Sequence, residues 1–304
     1  MKIAIIGTGG VGGYFGVRLA MAGHDVRFLA RGEHLKAIRQ GGIFLKSIHG
    51  DAHLKEAFAT DKFEAIGKAD LILLTVKSFQ VKVLAPRLQL LLQDNTIILP
   101  LQNGIMAAKE LLFHLPSRHI INGLCKIFSM VESPGVINHK GVDPMIVYGE
   151  LNNEQTERIK QLQILFSDAG IKNKLADNIE AEVWKKFIGI CVSGLLAVSK
   201  TTYGELRSHE PHRKMMLDLL TEGYELAGKL GVRIEPDYLE KAIAFIDSFA
   251  HSATASLTRD VWAGRRSEVE YQNGTIVRLA EEIGMEVPVN KYVYESITAL
   301  ESNL

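Results

Sequence analysis

At 304 residues, 47% of them hydrophobic and 23% charged, the chain is long enough for two domains of ordinary size with real cores. Its 35 basic and 35 acidic residues cancel and form no long block of either sign, which argues against a broad nucleic-acid or membrane surface. Cys125 and Cys191 stand far apart and the ten histidines show no metal motif, so neither a disulfide framework nor a metal site is expected, and a reducing cytoplasm is the natural compartment.

The chain opens on a strand-like run, Ile3 to Ile6, that drops straight into glycines. An amphipathic stretch follows at Tyr14–Ala22, and a second strand at Asp25–Ala30. Strand and glycines stand where a secretion signal would carry charges, an apolar run and a cleavage site, so export is not expected. Further apolar runs, "LILLTV", "TIILPLQNG" and "HIINGL", alternate with segments of helical period such as Gly32–Gln40 and Gln80–Leu92. Near-continuous apolar strands of this kind predict a parallel sheet covered on both faces. "CKIFSMVESPGVINHKG" and "MIVYGEL" then read as hairpin-like strands, followed by a polar helix from about Asn153 to Ala169 and a strand near Ile171–Leu175.

Beyond about residue 176 the pattern is helical: Ile179–Ser199, Pro211–Leu230, Tyr238–Ala250, Glu268–Ile283 and Lys291–Ser302. The most apolar stretch, "FIGICVSGLLAVS" from Phe187, is short of the roughly 20 residues a bilayer needs and reads as a core helix.

Gly7, Gly9 and Gly12 make a G-x-G-x-x-G turn between the first strand and the first helix. Such a turn brings backbone and a helix N-terminus up to a pyrophosphate, which makes Gly7, Gly9, Gly10, Val11 and Gly12 candidate cofactor-binding residues. The expected architecture is α/β: a Rossmann-type dinucleotide-binding domain, residues 1–176, then an all-helical domain, residues 177–304, with a cleft between them. At the end of the second strand, Arg31 favours the 2′-phosphate of NADP(H), whereas Glu33, two residues on, is the competing NAD reading.

A nicotinamide that reduces a ketone needs an acid to protonate the developing alkoxide. Lys77 and Asn103 sit just past strand ends, where open α/β sheets place ligands. In the helical half, Lys185 or Lys186 opens the apolar segment, one of them expected to snorkel, and Ser256, Asp260 and Glu268 lie in "SLTRDVWAGRRSEVEYQNG".

The segments "IGTGGVGGYFGVRLAMAGHDVRFLARGEHLKAIRQGGI", "LTVKSFQ", "LPLQNGI", "ESPGVINHKG…YGE", "VWKKF" and "S-x-x-x-D-x-x-x-G-R-x-S-E-V-E-Y-x-N-G" occur in the order found in ketopantoate reductases (2-dehydropantoate 2-reductases), which the chain resembles nearly end to end. The resemblance implies NADPH-dependent reduction of a 2-keto acid, ketopantoate to (R)-pantoate, on the way to pantothenate and coenzyme A. It implies Lys186 as general acid, oriented by Glu268, with Ser256 at the substrate carboxylate. Asn103 would touch substrate and cofactor, Lys77 the nicotinamide ribose, and Arg31 the 2′-phosphate.

The chain departs from that pattern where the family commonly has two pocket asparagines after the lysine. Here they are Ile190 and Gly194, four and eight residues beyond Lys186 on the same helical face. That change predicts a more apolar 2-keto acid, or ketopantoate read through another group such as Ser193. A non-catalytic NADP(H) sensor is the remote alternative, and either a monomer or a homodimer is compatible with the sequence.

Overall fold

The computed structural model describes residues 1–302. Its contacts divide the chain into two compact units: Met1–Gln102 with Met106–Ile179, and Glu180 onward together with the short segment Asn103–Ile105.

The first unit begins β1 (Lys2–Ile6), α1 (Gly10–Met21), β2 (Asp25–Leu29), α2 (Gly32–Gly41), β3 (Ile43–Ser47), β4 (Ala52–Leu54), β5 (Phe58–Thr60), α3 (Phe63–Ile66) and β6 (Leu71–Leu74). It continues through α4 (Ser78–Leu88), β7 (Ile97–Pro100), α5 (Ala107–Leu112), β8 (Asn122–Lys126), β9 (Ser129–Ser133), β10 (Val136–His139), β11 (Met145–Gly149), α6 (Glu157–Asp168) and β12 (Lys172–Leu175). Its main sheet has the order β5-β2-β1-β6-β7, every pair parallel. Alternation along β1 sends Ile3 and Ile5 into one core with Phe15, Phe28 and Leu73, and Ala4 and Ile6 into another with Phe63, Ile72 and Val81. Burial on both faces is why these strands read as unbroken apolar runs.

Two expectations change here. "HIINGL" is not a further strand of that sheet: Ile120 makes only an isolated bridge to Ile98, and the chain leaves to pair β8 antiparallel with β11 in the sheet β12-β11-β8. The fifth parallel strand is instead Phe58–Thr60, three residues too short to show a period. The hairpin β9–β10 forms around Pro134-Gly135, but β10 also pairs parallel with β3, which joins it to the hairpin β3–β4 in a sheet β4-β3-β10-β9 through one non-local pairing.

The second unit is helical: α7 (Ile179–Ser199), α8 (Tyr203–Ser208), α9 (Glu210–Lys229), α10 (Tyr238–Asp247), α11 (Ser256–Trp262), α12 (Asn273–Glu282) and α13 (Pro288–Glu301). The helix expected over Glu268–Ile283 is broken. Val269–Tyr271 is a 3₁₀ turn, and Gln272, at φ −110° and ψ −104°, separates it from α12. The last helix starts at Pro288 rather than Lys291, because proline suits a first turn whose N–H needs no partner. Buried Glu222 on α9 accepts from the Val289 N–H at 2.8 Å, the Asn290 N–H at 2.9 Å and the Asn290 amide at 2.8 Å, so the start of α13 compensates its charge. No described helix is long and apolar enough to cross a membrane.

Candidate active site

In the first unit, Gly7 turns the chain at φ +107°, and a Cβ there would lie 2.7 Å from the Val76 nitrogen. A Cβ on Gly12 would lie 2.2 Å from the Gly7 carbonyl oxygen and 2.4 Å from Thr75 Oγ1, so α1 packs directly on the turn. Gly9 is different. Among the described residues, nothing beyond its chain neighbours lies within 4 Å of the position its Cβ would take, and α1, entered through Gly10 and Val11, has no side-chain cap and no acid in its first turn. Open backbone beside an uncapped N-terminus of a 12-residue helix is an anion cradle, and it fits a pyrophosphate.

Three further side chains gather at this turn, none of them picked out in the sequence reading. Among the described residues the Ser129 hydroxyl is buried without a partner, and its carbonyl oxygen lies 2.3 Å from where a Gly10 Cβ would be. His34 Nδ1 accepts the Gly135 N–H at 3.0 Å. Burial holds this imidazole below the usual histidine range, against an opposing pull from the Thr8 backbone. Gln102 Nε2 donates to the Leu74 carbonyl at 2.8 Å and the Val76 carbonyl at 3.1 Å, leaving Oε1 buried without a partner among the described residues. His34 lies within "RGEHL" of the first quoted segment. For Ser129 and Gln102 no periodicity could have served as a signal, because their places come from distant segments.

Thr8 joins the turn to the end of β2, its N–H and its hydroxyl both donating to the Leu29 carbonyl at 3.1 and 2.9 Å. Two residues past Leu29, Arg31 is exposed at the N-cap position of α2. Glu33 is engaged by Lys36 at 2.7 Å, a solvated pair of adjacent turns. Lys77, half-buried, is the N-cap residue of α4, and its N–H donates to Gln80 Oε1 at 3.3 Å.

In the helical unit the two consecutive lysines of α7 lie about 100° apart around its axis. Lys185 Nζ lies 3.1 Å from both Glu182 and Glu235. Burial pulls its pKa down, but the hydrogen bonds it donates to these two carboxylates outweigh that and hold it above the ordinary lysine range. Tyr238 also donates to the Lys185 carbonyl at 2.6 Å. Lys185 is therefore the structural lysine. Lys186, half-buried, projects about 100° away on the face it shares with Ile190, Ser193 and Gly194.

That side of α7 is covered by the elements carrying the remaining candidates. The Thr258 hydroxyl, two residues past Ser256, donates to the Ser193 carbonyl at 2.7 Å. Ser193 in turn donates to Gln272 Oε1 at 2.9 Å, four residues past Glu268. Asn273 Nδ2 donates to the Cys191 carbonyl at 3.2 Å, and Trp262 Nε1 to the Ala197 carbonyl at 3.2 Å. Asn103–Ile105 joins the same unit: Gly104, at φ +98°, has no room for a Cβ, which would lie 2.6 Å from the Tyr271 carbonyl oxygen. Lys186, Ser256, Glu268 and Asn103 thus stand on four segments tied to one another. Ser256 is exposed and Glu268 is a buried carboxylate, while Asp260 is drawn off by Arg265 at 2.8 Å.

Gly194 does not open onto free space. Its Cβ would lie 2.5 Å from both Asn273 Oδ1 and Val293 Cγ1. Asn273 is fully buried, with Nδ2 also donating to Asn290 Oδ1 at 2.9 Å, so its amide has no freedom to step aside. Gly194→Ala is therefore expected to overpack this junction and lower unfolding free energy by about 1–3 kcal/mol, read as a lower urea midpoint at unchanged slope. An unshifted midpoint would contradict the packing described.

Known proteins share this chain's whole length. The family model for ketopantoate reductase PanE/ApbA matches residues 3–153, and that for the ketopantoate reductase PanE/ApbA C terminal matches residues 178–301. A 2-dehydropantoate 2-reductase from Nostoc sp. is 29% identical over 305 residues, covering 99% of this chain and 95% of the relative. An uncharacterized oxidoreductase, YkpB, from Bacillus subtilis is 27% identical, covering 99% of each. The crystal structure of a PanE/ApbA family ketopantoate reductase from Ralstonia eutropha superposes with a TM-score of 0.92 at 29% identity, covering 100% of this chain and 99% of that one. With both family models matched across an open glycine turn and a lysine-bearing helical unit, the chain belongs to the ketopantoate reductase family of oxidoreductases, which act on a keto or hydroxyl group with a nicotinamide dinucleotide.

Proposed function

We propose that the chain reduces a 2-keto acid with NADPH, the leading substrate being 2-dehydropantoate and the product (R)-pantoate. The observation that carries this reading is that α7, which bears Lys186, is tied through Ser193 to the segments that carry Ser256 and Glu268. Bound NADPH supplies a hydride to the keto carbon. Lys186 donates its proton to the carbonyl oxygen as the alkoxide develops and regains one from solvent after turnover. Glu268, buried in the same unit, orients that lysine and engages the substrate. Ser256 holds the substrate carboxylate, and Asn103 meets substrate and cofactor together. In the other unit, Gly7, Gly9, Gly10, Val11 and Gly12 cradle the pyrophosphate, Lys77 holds the ribose, and Arg31 takes the 2′-phosphate, which favours NADPH over NADH.

A specific observation supports a second reading of the substrate. The Ser193 hydroxyl is buried and committed to Gln272, and Gly194 is filled from behind by Asn273. On the Lys186 face this leaves Ile190, half-buried, as an apolar wall. A pocket without a buried polar reader gives up most of its discrimination for a hydroxyl. We therefore propose a preference for branched 2-keto acids with apolar tails as the alternative to 2-dehydropantoate. NADPH oxidation with 2-dehydropantoate, 2-ketoisovalerate and longer branched 2-keto acids decides between them. Ile190→Asn is expected to shift relative kcat/KM toward the hydroxylated substrate by about 10-fold or more. A strong 2-dehydropantoate preference in the unsubstituted protein would end the apolar-pocket reading.

A further inference from the structure

We infer that Thr75 is a positioning residue for the dinucleotide, its hydroxyl fixing the Gly7 carbonyl and with it the turn that receives the pyrophosphate. This inference rests on the dinucleotide site proposed above. Thr75 follows β6, and its N–H donates to the Ile6 carbonyl at 2.9 Å, extending the β1–β6 ladder by one bond. Its Oγ1 then lies 2.7 Å from the Gly7 carbonyl oxygen and 3.3 Å from that of Ile6. Both neighbours are acceptors, so the hydroxyl is the donor.

The hydroxyl reaches Gly7 because Gly12 has no side chain. A Gly12 Cβ would fall 2.4 Å from Thr75 Oγ1 and 2.2 Å from the Gly7 oxygen, in the space where that hydrogen bond runs. Gly7 is held from its other side as well, since its missing Cβ would lie 2.9 Å from the Thr75 carbonyl carbon and 2.7 Å from the Val76 nitrogen. The glycines thus make room, and the threonine uses it. A β-branched side chain has few χ1 choices, so the donor stays aimed without extra ordering.

The same residue secures the second cofactor-facing segment. Val76 is gripped through its carbonyl by Gln102, and Lys77 follows as the N-cap residue of α4. Turn and lysine are therefore referenced to one threonine.

Valine keeps the shape and removes the donor, leaving the Gly7 carbonyl unpaired; serine keeps the donor. NADPH titrated by its fluorescence is expected to bind Thr75→Val about tenfold more weakly and Thr75→Ser close to the unsubstituted protein. Adenosine 2′-monophosphate, which lacks the pyrophosphate, should bind all three alike. NADPH binding by Thr75→Val equal to the unsubstituted protein would overturn the inference, and so would equal losses in the valine and serine variants or a matching loss of adenosine 2′-monophosphate. If valine leaves no folded protein, Thr75→Ala and Thr75→Ser carry the same comparison, with the same outcomes. Failure of the unsubstituted protein to bind NADPH or NADH would remove the dinucleotide reading itself. Normal binding there with an indifferent valine variant removes this inference alone.

Discussion

Lys186→Ala is expected to lower kcat by about 10²–10⁴-fold, the range that loss of a positioned general acid produces, while the dissociation constant for NADPH stays near its original value. The neighbouring residue provides the control. Lys185 carries the same charge on the same helix and pairs with Glu182 and Glu235 at 3.1 Å. Partly exposed ion pairs of this kind contribute about 0.2–1 kcal/mol, so Lys185→Ala should cost a little stability and leave kcat nearly intact. Stopped-flow or steady-state NADPH oxidation with the best 2-keto acid makes the comparison. Equal losses at the two positions would mean that the helix, not the Lys186 proton, was being disturbed, and a fully active Lys186→Ala would remove the acid assignment.

The second large effect concerns the choice of nucleotide. Arg31→Ala should raise KM for NADPH by one to two decades, matching the roughly 1.5–3 kcal/mol of a charge-assisted hydrogen bond to phosphate, and leave KM for NADH almost unchanged. The local structure favours this asymmetry: Arg31 is exposed where β2 gives way to α2, and Glu33, the residue that would argue for NAD, is occupied by Lys36 at 2.7 Å. Because that pair is solvent-exposed, Glu33 is only weakly held, and Glu33→Gln should do little to either cofactor. Equal loss of NADPH and NADH binding in Arg31→Ala would contradict the 2′-phosphate role.

Long periodic elements were legible in the sequence, and short or non-local ones were not. The helix Ile179–Ser199 was read to the residue because 21 positions of apolar helical pattern outweigh local ambiguity. The glycine turn was legible because its spacing follows from steric needs that the structure displays at Gly7 and Gly12. By contrast, β5 at three residues, α8 at six and α11 at seven are too short to declare a period. "HIINGL" had a strand's composition, but composition does not say which sheet a strand joins, and β11 claimed it. In the site, motif residues such as Lys186 and Glu268 could be picked out by type. Ser129 could not, and Gln102 and Thr75, although inside the quoted "LPLQNGI" and "LTVKSFQ", carried no assigned role, since such a side chain acquires meaning only when a distant backbone arrives beside it.

The tripeptide Asn103–Ile105 belongs by its contacts to the helical unit although some seventy residues of the other unit follow it in the chain. A fragment cut at the start of the C-terminal family segment, residue 178, would therefore leave out a piece of its own body and expose the Tyr271 carbonyl that Gly104 covers. Complementation between two separately expressed halves would have to restore that insertion, so the unit that carries Lys186 is finished only when residues from early in translation are threaded back into it.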